Sequence, residues 1–217
     1  MKKIMIIDGG PRKEMNTATI IRAFAEGAKS VSDNIDVEVV RLYGLDYKGC
    51  MSCLACKLKG NLFKDVCAYK DGLSEALQKS AYADGLVLAS PIYFSQITGQ
   101  LRAFIERLIF PWLSYNDYSV TAPKRIPTAF IYTMNITPNL VHTIRPNQEH
   151  VEGLLAMGLE QPERIEVFNT LQVKNYDRYE MAGFSAADKQ MWHDEHWEED
   201  IRNAFEAGRR MGKKITE

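Results

Sequence analysis

Cysteine is where this chain concentrates reactive chemistry. Cys50, Cys53 and Cys56 form a C-x-x-C-x-x-C run, and Cys67 follows after ten further residues. Thiolates in so compact a run are how iron–sulfur clusters are held, and four cysteine sulfurs also suit tetrahedral zinc. Small thiols serve equally as packing or redox-active groups. The stretch KLKGNLFKDV sets the fourth cysteine apart from the other three, which weighs toward structural or redox-active thiols and leaves a cluster open without favouring it. No metal ligand is therefore assigned. His193 and His196 lie in WHDEHW among Asp194, Glu195, Glu198 and Glu199. Two histidines without a third ligand are weak evidence for a metal, so a solvated charged face is expected there, with Trp192 and Trp197 packing inward. The chain has no G-x-S-x-G nucleophile elbow and no H-E-x-x-H zinc helix, so hydrolytic chemistry has no visible residues.

Two further segments carry binding chemistry. GGPRKEMNT follows an apolar run and precedes a helical pattern, a junction where free backbone N–H groups and the helix dipole favour an anion. Arg12 can make a bidentate contact there, and Asn16 and Thr17 add side-chain donors. Neither G-x-G-x-x-G nor the triphosphate loop ending in Gly-Lys-Ser/Thr is present, so a terminal monophosphate suits this loop better than a dinucleotide or a nucleoside triphosphate. An ordinary capped turn is the plainer alternative. The second segment, SPIYFSQITGQ, places rigid Pro91 before Ile92, Tyr93 and Phe94. Such a loop can set backbone amides and two aromatic rings against a flat heterocycle, or simply cover a sheet edge.

The elements that must position these loops alternate along the chain. Short β-branched or apolar runs at 2–8, 35–42, 85–89, 128–133 and 165–172 read as strands. Between and after them, amphipathic patterns at 16–30, 73–82, 98–109, 147–158 and 188–211 read as helices, the first with Asn16 or Thr17 as N-cap. Residues 111–127, with three prolines, read as a long surface excursion. Five strands separated by helices imply a doubly wound parallel sheet with helices on both faces, in one domain spanning 1–217. Ligands of such sheets bind beyond the carboxyl ends of the strands where strand order reverses, which directs attention to loops 9–16, 90–96 and 133–137.

Composition sets the outer limits. Of 217 residues, 27 are basic and 28 acidic, a formal charge of −1, with 46% hydrophobic and 25% charged residues. This is ordinary for a globular protein and offers no general attraction to nucleic acid or anionic lipid. No apolar stretch reaches membrane-span or signal-peptide length, so the chain is expected in the cytoplasm, where thiols stay reduced.

The two loops together, and in this order, resemble the flavodoxin-like NADPH-dependent FMN reductase family, whose members carry G-S-P-R…N-T after strand one and S/T-P-x-Y before a helix containing L-x-x-F-I-[DE]-R. The matching residues here are Gly9, Gly10, Pro11 and Arg12; Asn16 and Thr17; Ser90 to Tyr93; and Leu101, Phe104, Ile105, Glu106 and Arg107. The resemblance covers most of the chain and extends to the stretch 169–179 and to Ala204-Phe205-Glu206-Ala207-Gly208. It implies a flavodoxin-like fold with FMN as cofactor, bound by Gly10 and Pro11, with phosphate held by Arg12, Asn16, Thr17 and Ala18, and the ring along Pro91, Ile92, Tyr93 and Phe94. Thr133, Met134 and Asn135 would close the far side. Gly10 departs from the family's usual serine. The implied reaction is hydride transfer from NAD(P)H to FMN and on to a small acceptor such as a quinone, azo compound or flavin, in a homodimer, with no protein side chain as obligatory acid. The cysteine run is similar to that of iron–sulfur flavoproteins, a sister group whose fourth cysteine comes sooner. An electron carrier fed by a protein donor is the alternative, and near-neutral charge gives such a donor little steering.

Overall fold

The structure, a computed structural model, describes residues 1–60 and 65–217. Its strands are β1 (Lys2–Asp8), β2 (Ile35–Arg41), β3 (Gly85–Pro91), β4 (Thr128–Thr133) and β5 (Glu163–Val167). They form one parallel sheet in the order β2-β1-β3-β4-β5. After β1 the chain runs outward to β2, then crosses back to β3 on the other side of β1, so strand order reverses between β1 and β3.

The helices are α1 (Asn16–Lys29), α2 (Ser74–Ala81), α3 (Gly99–Ile109), α4 (Arg145–Ala156) and α5 (Ala186–Thr216). Because successive strand side chains point to opposite faces, each central strand feeds two cores. Ile4, Ile6, Val87, Ala89, Ala129 and Ile131 pack beneath α1 and α5. Met5, Ile7, Leu86, Leu88, Phe130 and Tyr132 pack beneath α2, α3 and α4. Both faces of β1, β3 and β4 are thereby buried, which is why these strands read as continuous apolar runs. On the first face α1 and α5 meet backbone to backbone: a Cβ built on Gly208 would lie 2.0 Å from the Phe24 carbonyl oxygen, and one on Gly27 would lie 1.9 Å from that of Phe205.

Several boundaries differ from the sequence expectation, each for a local reason. β5 starts at Glu163 and ends at Val167, where 165–172 was expected. Asn169 sits at φ 47°, turning the chain so that Asn169 and Thr170 donate to the carbonyls of Ile136 and Met134. Neither Asn16 nor Thr17 caps α1; both are helical, and Met15 is the capping residue without a side-chain bond. Helix α5 begins earlier and ends later than 188–211, its start fixed by the Ser185 hydroxyl accepting from the Asp188 N–H at 3.1 Å. Residues 111–127 are not wholly on the surface. Trp112 is buried and donates to the Asp65 carbonyl at 2.9 Å, and Leu113 pairs with Val120 in a short antiparallel ribbon whose tip exposes Tyr115 and Tyr118.

Candidate functional site

At the carboxyl end of the sheet, beside the point of strand reversal, lies a cleft of about 190 Å³. Gly10, Pro11, Arg12, Asn16 and Thr17 line it from the loop after β1, Pro91, Ile92 and Tyr93 from the loop after β3, and Thr133, Met134 and Asn135 from β4 and its loop. Tight backbone approaches bring these segments together. A Cβ on Gly9 would lie 2.9 Å from both the Leu101 Cβ and the Thr98 Oγ1, and the Thr98 hydroxyl donates to the Gly9 carbonyl at 2.9 Å. Thr17 and Thr133 share a hydroxyl–hydroxyl hydrogen bond of 2.7 Å, and the Ile92 N–H donates to the Thr133 carbonyl at 2.9 Å. Three loops far apart in sequence are thus locked edge to edge.

The first loop has the features of an anion cradle. No side chain caps α1, so the first-turn amides point toward the loop with the positive end of the helix dipole behind them. The Arg12 guanidinium is exposed and donates to the Gln172 carbonyl, while the Asn16 amide donates to the Leu171 carbonyl at 2.7 Å. Glycine at position 10 has a structural reason. The buried Asp8 carboxylate accepts from the Gly10 N–H at 2.7 Å, and a Cβ on Gly10 would crowd that oxygen at 2.9 Å. Burial pushes the Asp8 carboxyl above its usual range, against the Gly10 N–H and Arg41, which pull it down.

The second loop is held in a strained shape. Tyr93 and Gln96 exchange backbone hydrogen bonds of 2.8 and 3.0 Å across Phe94 and Ser95, which sit at φ 48° and 65°. Two left-handed central residues make a tight hairpin turn that normally takes Asn and Gly; with an L side chain each costs about 1–2 kcal/mol. The surroundings over-determine it: the Thr98 N–H donates to the Ser90 hydroxyl at 3.0 Å, and the Asn147 amide holds the Ser95 carbonyl at 2.9 Å. Phe94 therefore projects fully into solvent at the mouth of the cleft instead of lining it. Ala18, also named from the sequence, is buried in the first turn of α1 behind the cleft wall.

Met15, Thr170 and Gln172 line the cleft without having been singled out from the sequence. Behind them stands Lys189, only 5% exposed, whose ammonium donates to the Asn135 side-chain oxygen and, at 3.2 Å, to the Thr170 carbonyl. Burial lowers its pKa to about 8. Its position was readable in principle, because Lys189 continues toward the amino end the helical stripe formed by Ala204, Gly208, Met211 and Ile215.

The four cysteines line a second, smaller cavity, together with Arg107 and Phe110. Ser52 and Leu54, at φ 53° and 56°, turn the run so that Cys50, Cys53 and Cys56 face the same space as Cys67. Arg107, 1% exposed, ties both ends of this segment to α3 by donating to the Lys48 carbonyl at 2.9 Å, the Tyr69 carbonyl at 2.8 Å and Asp71 at 2.6 Å. Burial raises the Cys56 thiol pKa, with Cys67 and Cys50 close enough to add to the effect. Residues 61–64 of the intervening KLKGNLFKDV lie outside the described residues. Among the described residues no three His, Cys, Asp or Glu side chains draw close enough to hold a metal ion, so the sulfurs ring a cavity and do not meet at a single point. His193 and His196 are half-buried, stacked on Trp197 and Trp192 with ring centroids 5.0 and 3.9 Å apart. The rings pair with each other instead of leaving the histidines on a solvated face as expected.

A parallel sheet of this strand order, with a cleft at its reversal point, defines the flavodoxin-like class of α/β proteins. Structural comparison agrees. A Bacillus anthracis FMN-dependent NADH-azoreductase solved with FMN superposes over 100% of both chains with a TM-score of 0.65 at 14% identity. An NAD(P)H:quinone oxidoreductase from Methanothermobacter marburgensis gives 0.65 at 16% identity over 96% of this chain and 98% of that one. The chain belongs to the NADPH-dependent FMN reductase family, whose sequence profile matches residues 2–133. Curated relatives include iron–sulfur flavoproteins of Methanocaldococcus jannaschii, 32% identical over 106 residues, and Archaeoglobus fulgidus, 33% identical over 105. Each alignment covers 48% of this chain and respectively 51% and 48% of the relative, so the chain spans about half the length of the curated relatives it matches. Among the described residues no helix is long and apolar enough to cross a membrane.

Proposed function

We propose that this chain is a single-domain, FMN-dependent NAD(P)H oxidoreductase passing reducing equivalents to a small acceptor such as a quinone, azo compound or flavin. The carrying observation is that one cleft gathers an anion-cradling loop, a rigid aromatic loop and the β4 loop. FMN, when bound, supplies the hydride chemistry, accepting from reduced nicotinamide and giving to the acceptor. The chain's own residues bind and orient. Arg12 and the first-turn amides of α1 hold the phosphate, Pro91 to Tyr93 support one side of the ring, and Met134 and Asn135 close the other. Tyr93 and Phe94, both exposed, offer an aromatic surface at the mouth for a planar nicotinamide or acceptor, and for a second copy of the chain that shields it. A reducing, cytoplasmic setting suits the four free thiols.

The test is direct. Purified protein is incubated with FMN, FAD or riboflavin, and NADH and NADPH oxidation is followed with quinone, azo and flavin acceptors. Saturable binding of FMN in preference to FAD, with turnover, is expected; no FMN binding at micromolar protein overturns the reading.

A second reading has its own observation. Four thiols line one cavity with Arg107, and the curated relatives are named iron–sulfur flavoproteins; drawn together from the separation seen here, Cys50, Cys53, Cys56 and Cys67 would ligate a four-iron cluster and make the chain an electron-transfer iron–sulfur flavoprotein fed by a protein donor. Iron and sulfide are assayed in anaerobically purified protein, and Cys53→Ser is compared with wild type. About four irons per flavin, with activity lost in Cys53→Ser, favours this reading; iron-free protein with Cys53→Ser still active favours the first.

A further inference from the structure

Lys189 makes little sense as packing alone. The residue is 5% exposed, and every partner of its ammonium is a neutral dipole: the Asn135 side-chain oxygen, the Asn135 carbonyl at 3.4 Å and the Thr170 carbonyl at 3.2 Å, with the Phe184 ring 5.5 Å away. Among the described residues no carboxylate forms an ion pair with it. A buried charge is costly and is ordinarily paired or neutralised. Two of the residues whose oxygens it holds, Asn135 and Thr170, line the cleft, so the nearest place for a compensating negative charge is the cleft's ligand. The loop after β1 already gives that cleft a cation of its own in Arg12, together with the uncapped turn of α1.

We propose that Lys189 is a positioning charge for the bound ring: from behind the wall formed by Asn135 and Thr170 it stabilises the negative charge that a flavin acquires on taking up a hydride. This rests on the FMN reading above. A hydride brings two electrons and one proton to a neutral ring, so one negative charge remains until a second proton arrives. A fixed cation close by favours that state over the oxidised one, while the oxidised ring, being neutral, gains little. With its pKa near 8, Lys189 carries its proton at neutral pH. The same residue clips the first turn of α5 to the loops after β4 and β5, so loss of its charge must be separated from loss of its hydrogen bonds.

Lys189→Gln removes the charge and keeps amide donors for the same oxygens, Lys189→Met removes both, and Lys189→Arg keeps the charge. For each, FMN and riboflavin affinities are measured by fluorescence quenching, the two-electron midpoint potential of bound FMN by dye equilibration, and folding by thermal melting. In Lys189→Gln, oxidised FMN should bind within about threefold of wild type while the reduced form loses about tenfold relative to it, a potential drop of about 30 mV; Lys189→Arg should keep most of the wild-type potential. If Lys189→Met fails to melt cooperatively, Lys189→Gln and Lys189→Arg decide the matter alone. A Lys189→Gln protein that binds FMN at the wild-type potential overturns the proposal, and so does one that loses FMN while keeping riboflavin, since the charge would then serve the phosphate. Wild type that binds no FMN at all marks failure of the underlying reading instead.

Discussion

Gly208→Ala adds one methyl group where α5 crosses α1, and the structure says what that methyl meets. Its Cβ would lie 2.0 Å from the Phe24 carbonyl oxygen and 2.9 Å from the Ala28 nitrogen, against 3.4–4 Å for ordinary contact. Both obstacles are backbone inside a helix, so no side chain can rotate away, and the helices must part by about 1 Å or more, loosening Phe24, Ala204, Ala207 and Met211 together. Overpacking of this kind costs about 3 kcal/mol, the upper end of its usual range. The better helix propensity of alanine returns about 1 kcal/mol, leaving a net loss of about 2 kcal/mol. For a chain of this size that lowers Tm by about 4–8 °C. Because α1 also carries Asn16 and Thr17, FMN affinity should fall with stability. Gly153→Ala is the matched control: it lies within α4, and nothing stands within 4 Å of its added Cβ. The same chemical change there should stabilise by about 0.5–1 kcal/mol. Denaturant titration of both variants, with wild type alongside, reads the midpoints. If Gly208→Ala is as stable as Gly153→Ala, the close backbone crossing of α1 and α5 is wrong.

Three further outcomes follow from single contacts. Arg12→Ala should weaken FMN by about 1.5 kcal/mol, the low end for a charged hydrogen bond because Arg12 is exposed, and leave riboflavin binding unchanged; equal loss for both flavins would remove Arg12 from the phosphate. Arg164→Ala should destabilise by about 3 kcal/mol in urea titration, because the buried Glu152 carboxylate, which accepts from Arg164 at 2.7 and 2.6 Å, loses its cation and keeps the Tyr132 hydroxyl at 3.2 Å; Glu152→Gln in the same background should recover part of the loss. Burial raises the Asp200 carboxyl to about 6, against the pull of His196, so the native state holds this proton more tightly than the unfolded chain does. Its ionisation therefore erodes stability as pH rises from about 4 through 6, and Asp200→Asn should stabilise at pH 8 but not at pH 4, a difference that thermal melts at the two pH values would expose.

The periodic elements and the two binding loops were legible because their signals are local. Both-sided burial wrote β1, β3 and β4 as unbroken apolar runs, the single apolar stripe of α3 follows the helical repeat, and glycine, proline and Arg12 mark the loop after β1 whatever lies around it. Segments governed by distant partners were misread. Residues 168–172 look like a continued strand, yet the left-handed Asn169 and the carbonyls of Met134 and Ile136 redirect them over the cleft. Residues 111–127 look like a surface loop, yet Trp112 finds buried space and the Asp65 carbonyl.

The sequence by itself therefore determined the doubly wound sheet, the reversal-point loops and most residues that line the cleft, since each depends on hydrophobic period or on backbone chemistry within a few positions. Tertiary structure alone decided which donors meet. It set Arg12 and Asn16 against carbonyls some 160 and 155 positions away, gathered four cysteines with Arg107 around one cavity, and turned Phe94 out to solvent. It also buried Lys189 without an anionic partner among the described residues. Those pairings are long-range, and no local preference of the chain encodes the distance at which two remote side chains come to rest.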